Sequence, residues 1–286
     1  MSASLRLLAR LWLHEPDAED VRRAVAELGL PVAPAADLAP AYAEVFLLNV
    51  PPYGTVFTGD HGELNGPEAE WVGRLFDAHG YRPEELNEVA APDHLGLALG
   101  FLAEAEPAPA AGCRRWLQRW APVACLAVTR EPAAPAFYRE LAAATLEALF
   151  ARPEPPEAAG HPPLRFEADD EVSLGAIVQY FLTPARCGLY LSRARLGALA
   201  RALGLGLPFG SRFDVARQLF SACGEAGALR GLLGHLRDET AVWSRDYQAC
   251  AQRFPIWQTA AAGWQARLAD AARLLDEMER LAAEAV

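Results

Sequence analysis

Apolar residues recur at steps of three and four along nearly the whole chain, and no stretch keeps a clean alternation of apolar and polar residues. The longest run is Leu229, Leu232, Leu236, Thr240, Trp243, Tyr247 and Cys250. A second, Trp264, Leu268, Ala271, Leu275, Met278 and Ala282, follows the break at Phe254-Pro255. That spacing gathers apolar side chains on one face of a helix, whereas a half-buried strand needs a step of two. Two long stripes around one proline predict an antiparallel helical hairpin. The fold class expected from the whole chain is all-α.

Earlier segments read the same way. Leu5, Leu8, Leu11 and Trp12 form a stripe. Asp17 is placed to cap a second helix whose inward side chains are Val21, Val25 and Leu28, with Gly29 at its end. Asp37 opens a third helix with Leu38, Tyr42, Val45 and Phe46 on one face, stopped by Pro51-Pro52. Tyr53 to Gly66 reads as a glycine-rich loop, and Pro67 starts a helix carrying Trp71, Leu75 and Phe76. A helix is expected from Pro92 to about Glu104, with Pro92 at its opening position, Asp93 in its first turn beside the positive end of the dipole, and Leu95, Leu99 and Leu102 inward. Glu106–Gly112 reads as a short Pro/Ala linker. Two further helices carry Trp116, Leu117, Trp120 and Leu126, bent at Pro122, and Phe137, Tyr138, Leu141, Thr145 and Leu149. Later, Val172, Ile177, Val178 and Phe181 form one stripe, and Ser192 and Ser211 are placed as helix caps.

At 286 residues the chain is long enough for about two domains. Between Arg152 and Pro163 five of twelve residues are proline, which no helix accommodates, so this is the expected boundary. The organisation that follows is a helical domain over 1–151, a linker over 152–163, and an additional helical segment over 164–286.

The formal net charge of −11 argues against nonspecific binding to nucleic acid and favours cationic partners, including basic peptides. Every basic residue is arginine, a mark of coding bias rather than chemistry. The five cysteines, Cys113, Cys125, Cys187, Cys223 and Cys250, are odd in number and lack metal-type spacing, as expected of free thiols in a reducing cytoplasm. No export signal or membrane-length apolar run is visible, so a cytoplasmic location is expected.

Motifs for catalysis are sparse. Phosphate-binding loops, H-E-x-x-H and the G-x-S-x-G elbow are all missing from the sequence. Gly204–Gly210 follows a helix and reads as a helix-ending loop, and His235–Glu239 reads as a solvated helix face. Asp93-His94, with His61 or His79 brought from afar, is the best metal-ligand candidate, and it supports the alternative of a metal-dependent hydrolase. No cofactor is expected.

Three stretches in order resemble the TorD/DmsD family of maturation chaperones for molybdenum and tungsten oxidoreductases. Tyr42-Ala43-Glu44-Val45-Phe46 and Val50-Pro51-Pro52-Tyr53-Gly54-Thr55-Val56-Phe57 are similar to the family's "Y-x-x-L-F … P-P-Y-x-S-V-Y". Pro92-Asp93-His94-Leu95 with Leu99, Phe101 and Leu102 resembles "P-x-D-H-x-x-x-E-L-x-F-M". Phe137-Tyr138-Arg139-Glu140-Leu141-Ala142 is similar to the late "Y-Y-x-x-L-A" helix. The family's glutamate is Ala98 here, its serine is Thr55, and Pro92 stands one residue closer to Asp93. The resemblance spans about residues 1–150, and the segment beyond exceeds the family's usual length.

The resemblance implies a TorD-like helical bundle and a binding task without catalysis. Such a protein holds an apo molybdopterin-type oxidoreductase, often by its twin-arginine signal peptide, until the cofactor is inserted. The residues it implies for client or peptide binding are Tyr42, Phe46, Pro52, Tyr53, Thr55, Phe57, Asp93 and His94. It also implies weak guanine-nucleotide binding, for which no motif is present, and a possible homodimer by helix exchange hinged at Glu106–Gly112. A further alternative is a non-catalytic helical adaptor that docks through the C-terminal segment.

Overall fold

The computed structural model describes residues 2–60, 64–152, 154, 173–206 and 210–284. Among these residues every regular element is helical, in line with the all-α expectation. The chain divides into two compact units, Met1–Glu157 and Ala158–Val286. Val172, His61, most of the proline-rich run and 207–209 of the glycine loop lie outside the described residues.

The N-terminal unit is built from α1 (Ser2–Leu13), α2 (Ala18–Leu28), α3 (Ala35–Tyr42), a π-helical stretch Ala43–Asn49, α4 (Gly54–Thr58), α5 (Pro67–Ala78), a 3-10 turn Glu84–Asn87, α6 (Leu95–Glu104), α7 (Pro107–Arg130) and α8 (Ala136–Phe150). Asp17 caps α2 in a reciprocal box with Asp20, and Gly29 ends it with φ of 69°, as its sequence position predicts. Leu5, Leu8, Leu11 and Trp12 are buried, and α1 packs mainly against α6.

An aromatic cluster fills the centre of this unit. Trp12 lies 4.9 Å from Phe46, and Phe46 lies 5.0 Å from Tyr138. Each polar edge of the cluster has a partner. Trp12 Nε1 donates to Thr145 Oγ1 at 2.8 Å, the Tyr42 hydroxyl to the Trp12 carbonyl at 2.9 Å, and the Tyr138 hydroxyl to the Leu38 carbonyl at 2.8 Å. These bonds tie α1, α3 and α8 together at a burial depth where an unmade hydrogen bond costs about 1–3 kcal/mol.

Three local expectations change. The Tyr53–Gly66 loop contains a helical turn, α4. The helix expected from Pro92 begins at Leu95, so Asp93 lies ahead of it. The Pro/Ala segment expected as a linker and hinge is mostly helix, because α7 starts at Pro107. Proline fits a first helical turn, where its missing N–H has no intrahelical partner to lose.

The C-terminal unit contains α9 (Leu174–Leu182), α10 (Pro184–Cys187), α11 (Arg193–Ala202), α12 (Arg212–Glu225), α13 (Leu229–Arg253), a 3-10 turn Pro255–Trp257 and α14 (Gln258–Glu284). Ser192 and Ser211 cap α11 and α12 through their hydroxyls, as expected. Helices α13 and α14 run antiparallel: Arg237 pairs with Asp276 and Glu279, and nearer the turn Gln265 donates to the Ser244 carbonyl. Trp243, Tyr247, Trp257 and Trp264 form their shared core. The solvated face expected at His235–Glu239 is only partly so. Glu239 is buried and accepts from Arg195 Nε at 2.7 Å, because α11 packs a guanidinium against that side of α13.

Candidate functional site

The residues singled out in Val50–Phe57 and Pro92–Leu95 meet in space. Tyr53 and His94 form an isolated antiparallel bridge. The Leu95 N–H donates to the Pro52 carbonyl at 2.8 Å, and the Gly54 N–H donates to the Asp93 carbonyl at 3.1 Å. Asp93 Oδ2 accepts from the Thr55 backbone N–H at 2.7 Å and from the Thr55 hydroxyl at 2.8 Å.

This arrangement gives the two neighbouring residues Asp93 and His94 separate tasks. Tyr53, at the cap position of α4, supplies no side-chain bond. Asp93 supplies it from 38 residues away, its main chain and carboxylate taking the first two free N–H groups of α4. His94 is itself the cap of α6, with Nδ1 accepting from the Gly96 N–H at 3.1 Å. The sequence PDH therefore caps two helices.

Burial sets the charge states. The Asp93 carboxyl is fully buried, and desolvation pushes its pKa above the usual carboxylate range against the opposing pull of the Thr55 hydrogen bonds. Its Oδ1 has no hydrogen-bond partner. Desolvation, aided by His14, pushes the His94 ring down to about 3, so it is neutral and able to accept at Nδ1. The edge of His94 meets the Tyr53 ring with centroids 4.9 Å apart, and the Tyr53 hydroxyl accepts from the Ala90 N–H.

The turn α4 is seated on α7. Phe57 stacks on Trp120 at 5.9 Å with ring planes 15° apart. Gly54 lies so close to Trp116 that a Cβ there would meet Trp116 Cζ2 at 2.6 Å. The Thr58 hydroxyl touches the Glu68 carboxylate, which also accepts from Trp116 Nε1 at 3.2 Å and lies 3.6 Å from the Arg119 guanidinium.

Of the eight residues expected at a binding site, Pro52, Tyr53, Thr55, Phe57, Asp93 and His94 belong to this double-capped junction. Tyr42 and Phe46 belong to the aromatic cluster around Trp12. Only Tyr53 among the eight is more than marginally exposed. Just before the junction in the chain, the π-helical stretch leaves Leu47 and Leu48 exposed at 64% and 47%. Sequence reasoning passed over this pair, whose signal was two leucines beside the Pro-Pro stop. It also passed over Glu68 and Arg119, and read Trp116 only as part of an apolar helix stripe.

Among the described residues no group of three His, Cys, Asp or Glu side chains converges as metal ligands, and none of the helices is long and apolar enough to cross a membrane. All five cysteines are buried free thiols, and desolvation holds Cys113 up to about 12.

The N-terminal unit is thus a helical scaffold whose polar side chains at the junction are spent on joining helices. Residues 14–121, from the end of α1 to the middle of α7, match the family model described as nitrate reductase delta subunit. That match supports the chaperone family for this part of the chain. No curated protein and no solved structure matches the chain.

Proposed function

We propose that the N-terminal unit is a non-catalytic maturation chaperone of the TorD/DmsD kind. It holds an apo molybdenum or tungsten oxidoreductase, through the twin-arginine signal peptide or N-terminus of that client, until the cofactor is inserted. The observation that carries this reading is the double-capped junction. Two of the stretches that resemble the family meet there, inside the segment matched by the family model.

In this reading Pro52, Thr55, Phe57, Asp93 and His94 frame the client site, and Tyr42 and Phe46 anchor that frame to the core. Tyr53 with Leu47 and Leu48 is the surface that meets the client. An apolar leader segment lies against the leucines, and the carboxylates of an acidic protein receive the paired arginines. Oδ2 of Asp93 is held by Thr55 and Nδ1 of His94 by Gly96, and among the described residues no group of three His, Cys, Asp or Glu side chains converges, so the observations favour the binding reading over metal-dependent hydrolysis.

The reading is tested by titrating the full chain with a twin-arginine leader peptide from a molybdopterin oxidoreductase of the same genome, and by assaying that enzyme in a deletion strain. The expected results are saturable binding weakened by salt, and loss of client activity. Leu47→Asp should weaken leader binding at least fivefold while the helix content stays unchanged. Normal client activity in the deletion strain, or no binding of leader or apo-enzyme, overturns it.

A further inference from the structure

A groove of about 390 Å³ opens between α5 and α7, lined by Glu68, Trp71, Arg115, Trp116 and Arg119 among others. Its walls have unequal chemistry. Trp71 is 37% exposed and lies 5.9 Å from Trp116, so an indole face is presented to whatever enters. Glu68, the acid of the groove, is already engaged by Trp116 Nε1, the Thr58 hydroxyl and Arg119. Arg115 is exposed one helical turn before Arg119 and has no ion-pair partner among the described residues.

On a chain of net charge −11, Arg115 leaves a cation without an ion pair lining the same groove as the part-exposed indole of Trp71. Trp and Arg are the side chains most enriched where a surface makes its strongest contacts. The charge left to the groove is positive, because its acid is satisfied internally. We infer that this groove docks a protein segment carrying an aromatic or aliphatic side chain next to a carboxylate: the apolar group packs on Trp71 and Trp116, and the carboxylate pairs with Arg115. A twin-arginine leader has the wrong charge for it, so this is a second docking surface, independent of the chaperone reading of the junction.

Its floor also gives it a mechanical link to that junction. Trp116 packs directly on Gly54 of α4, and Thr58 of α4 touches Glu68. An occupant that moves Trp116 or Glu68 acts on the same turn that Asp93 caps.

The test uses the full chain and three synthetic tetrapeptides, acetylated and amidated: Glu-Phe-Leu-Glu, Lys-Phe-Leu-Lys and Glu-Gly-Gly-Glu. Binding is read by calorimetry and by Trp fluorescence. The acidic apolar peptide should bind at least tenfold more tightly than either of the others. Arg115→Glu and Trp71→Ala should each weaken it at least fivefold with unchanged far-ultraviolet circular dichroism, and Arg115→Glu should leave binding of the twin-arginine leader at least as tight as in the parent. Tighter binding of the lysine peptide, no binding of any of the three, or unaltered affinity in Arg115→Glu overturns the inference. So does equal affinity for free N-acetylphenylalanine, which would make the groove a small-molecule pocket. The circular dichroism checks the fold of both variants, and the leader titration on the Arg115→Glu sample separates failure here from failure at the junction.

Discussion

Thr55 gives both of its donors to one oxygen of Asp93: the backbone N–H at 2.7 Å and the hydroxyl at 2.8 Å. The contact spans 38 residues and joins α4 to the turn ahead of α6. A buried carboxyl with two donors on one oxygen and none on the other is sensitive to losing either donor.

Thr55→Val removes the hydroxyl and keeps the shape and the backbone donor. It should cost about 1–2 kcal/mol, while Thr55→Ser, which restores the hydroxyl, should stay within about 0.5 kcal/mol of the parent. Asp93→Ala orphans both Thr55 donors and should cost about 1–3 kcal/mol, whereas Asp93→Asn keeps an acceptor and should cost less. Urea midpoints of the four variants check the order.

Stability should depend on pH through two groups of opposite sign. The His94 ring is neutral in the folded chain down to about pH 3, but titrates at 6.5 when unfolded. Between those values the unfolded chain holds the extra proton, so stability falls as pH falls through that window, by at most about 1.4 kcal/mol per pH unit. The raised pKa of Asp93 works the other way: as pH rises above its ordinary 3.8, the unfolded chain releases a proton that the folded chain retains, and stability falls with rising pH. His94→Asn, which can still cap Gly96, should flatten the first slope, and Asp93→Asn should remove the second. Urea titrations from pH 4 to pH 8 read both, and an unchanged slope in His94→Asn would contradict the burial argument.

Gly54→Ala should be destabilising by about 1–3 kcal/mol despite the good helix propensity of alanine, because the new Cβ would lie 2.6 Å from Trp116. The near-ultraviolet circular dichroism of Trp116 and Trp120 should change with it. Gly112→Ala, where nothing lies within 4 Å of an added Cβ, should be neutral or stabilising.

In the C-terminal unit, Arg195→Ala leaves the buried Glu239 carboxylate without the guanidinium that Nε brings to 2.7 Å. The expected loss is about 1–3 kcal/mol, and Glu239→Leu in the same background should recover part of it, since an apolar side chain of similar size has no charge to solvate. Thermal melts of the single and double variants decide this.

Much of the helical scaffold was legible in the chain itself. A helix advances by 3.6 residues per turn, so the stripes that ended on Trp12, Cys250 and Ala282 carried their own geometry. The caps Asp17, Ser192 and Ser211 were equally legible, because each bonds an N–H three residues on and needs no distant partner. The same local rule misplaced Asp93. An acid just after a proline and before a leucine stripe reads as part of its own helix, yet its carboxylate serves α4. The turn α4 was hidden for a related reason: a glycine-rich stretch reads as loop unless a Trp wall waits for the glycine to approach it. Glu239 read as solvated because its charge says so and Arg195 is 44 residues away.

What the sequence determined by itself was the helical class, most helix positions and the caps made within one turn, all of which depend on interactions among near neighbours. Only the tertiary structure decided which helix Asp93 completes, that His94 is held neutral, and that Trp71 and Arg115 share a groove. Those properties arise from desolvation and from contacts between residues far apart in the chain, and no local pattern encodes the distance between two such residues.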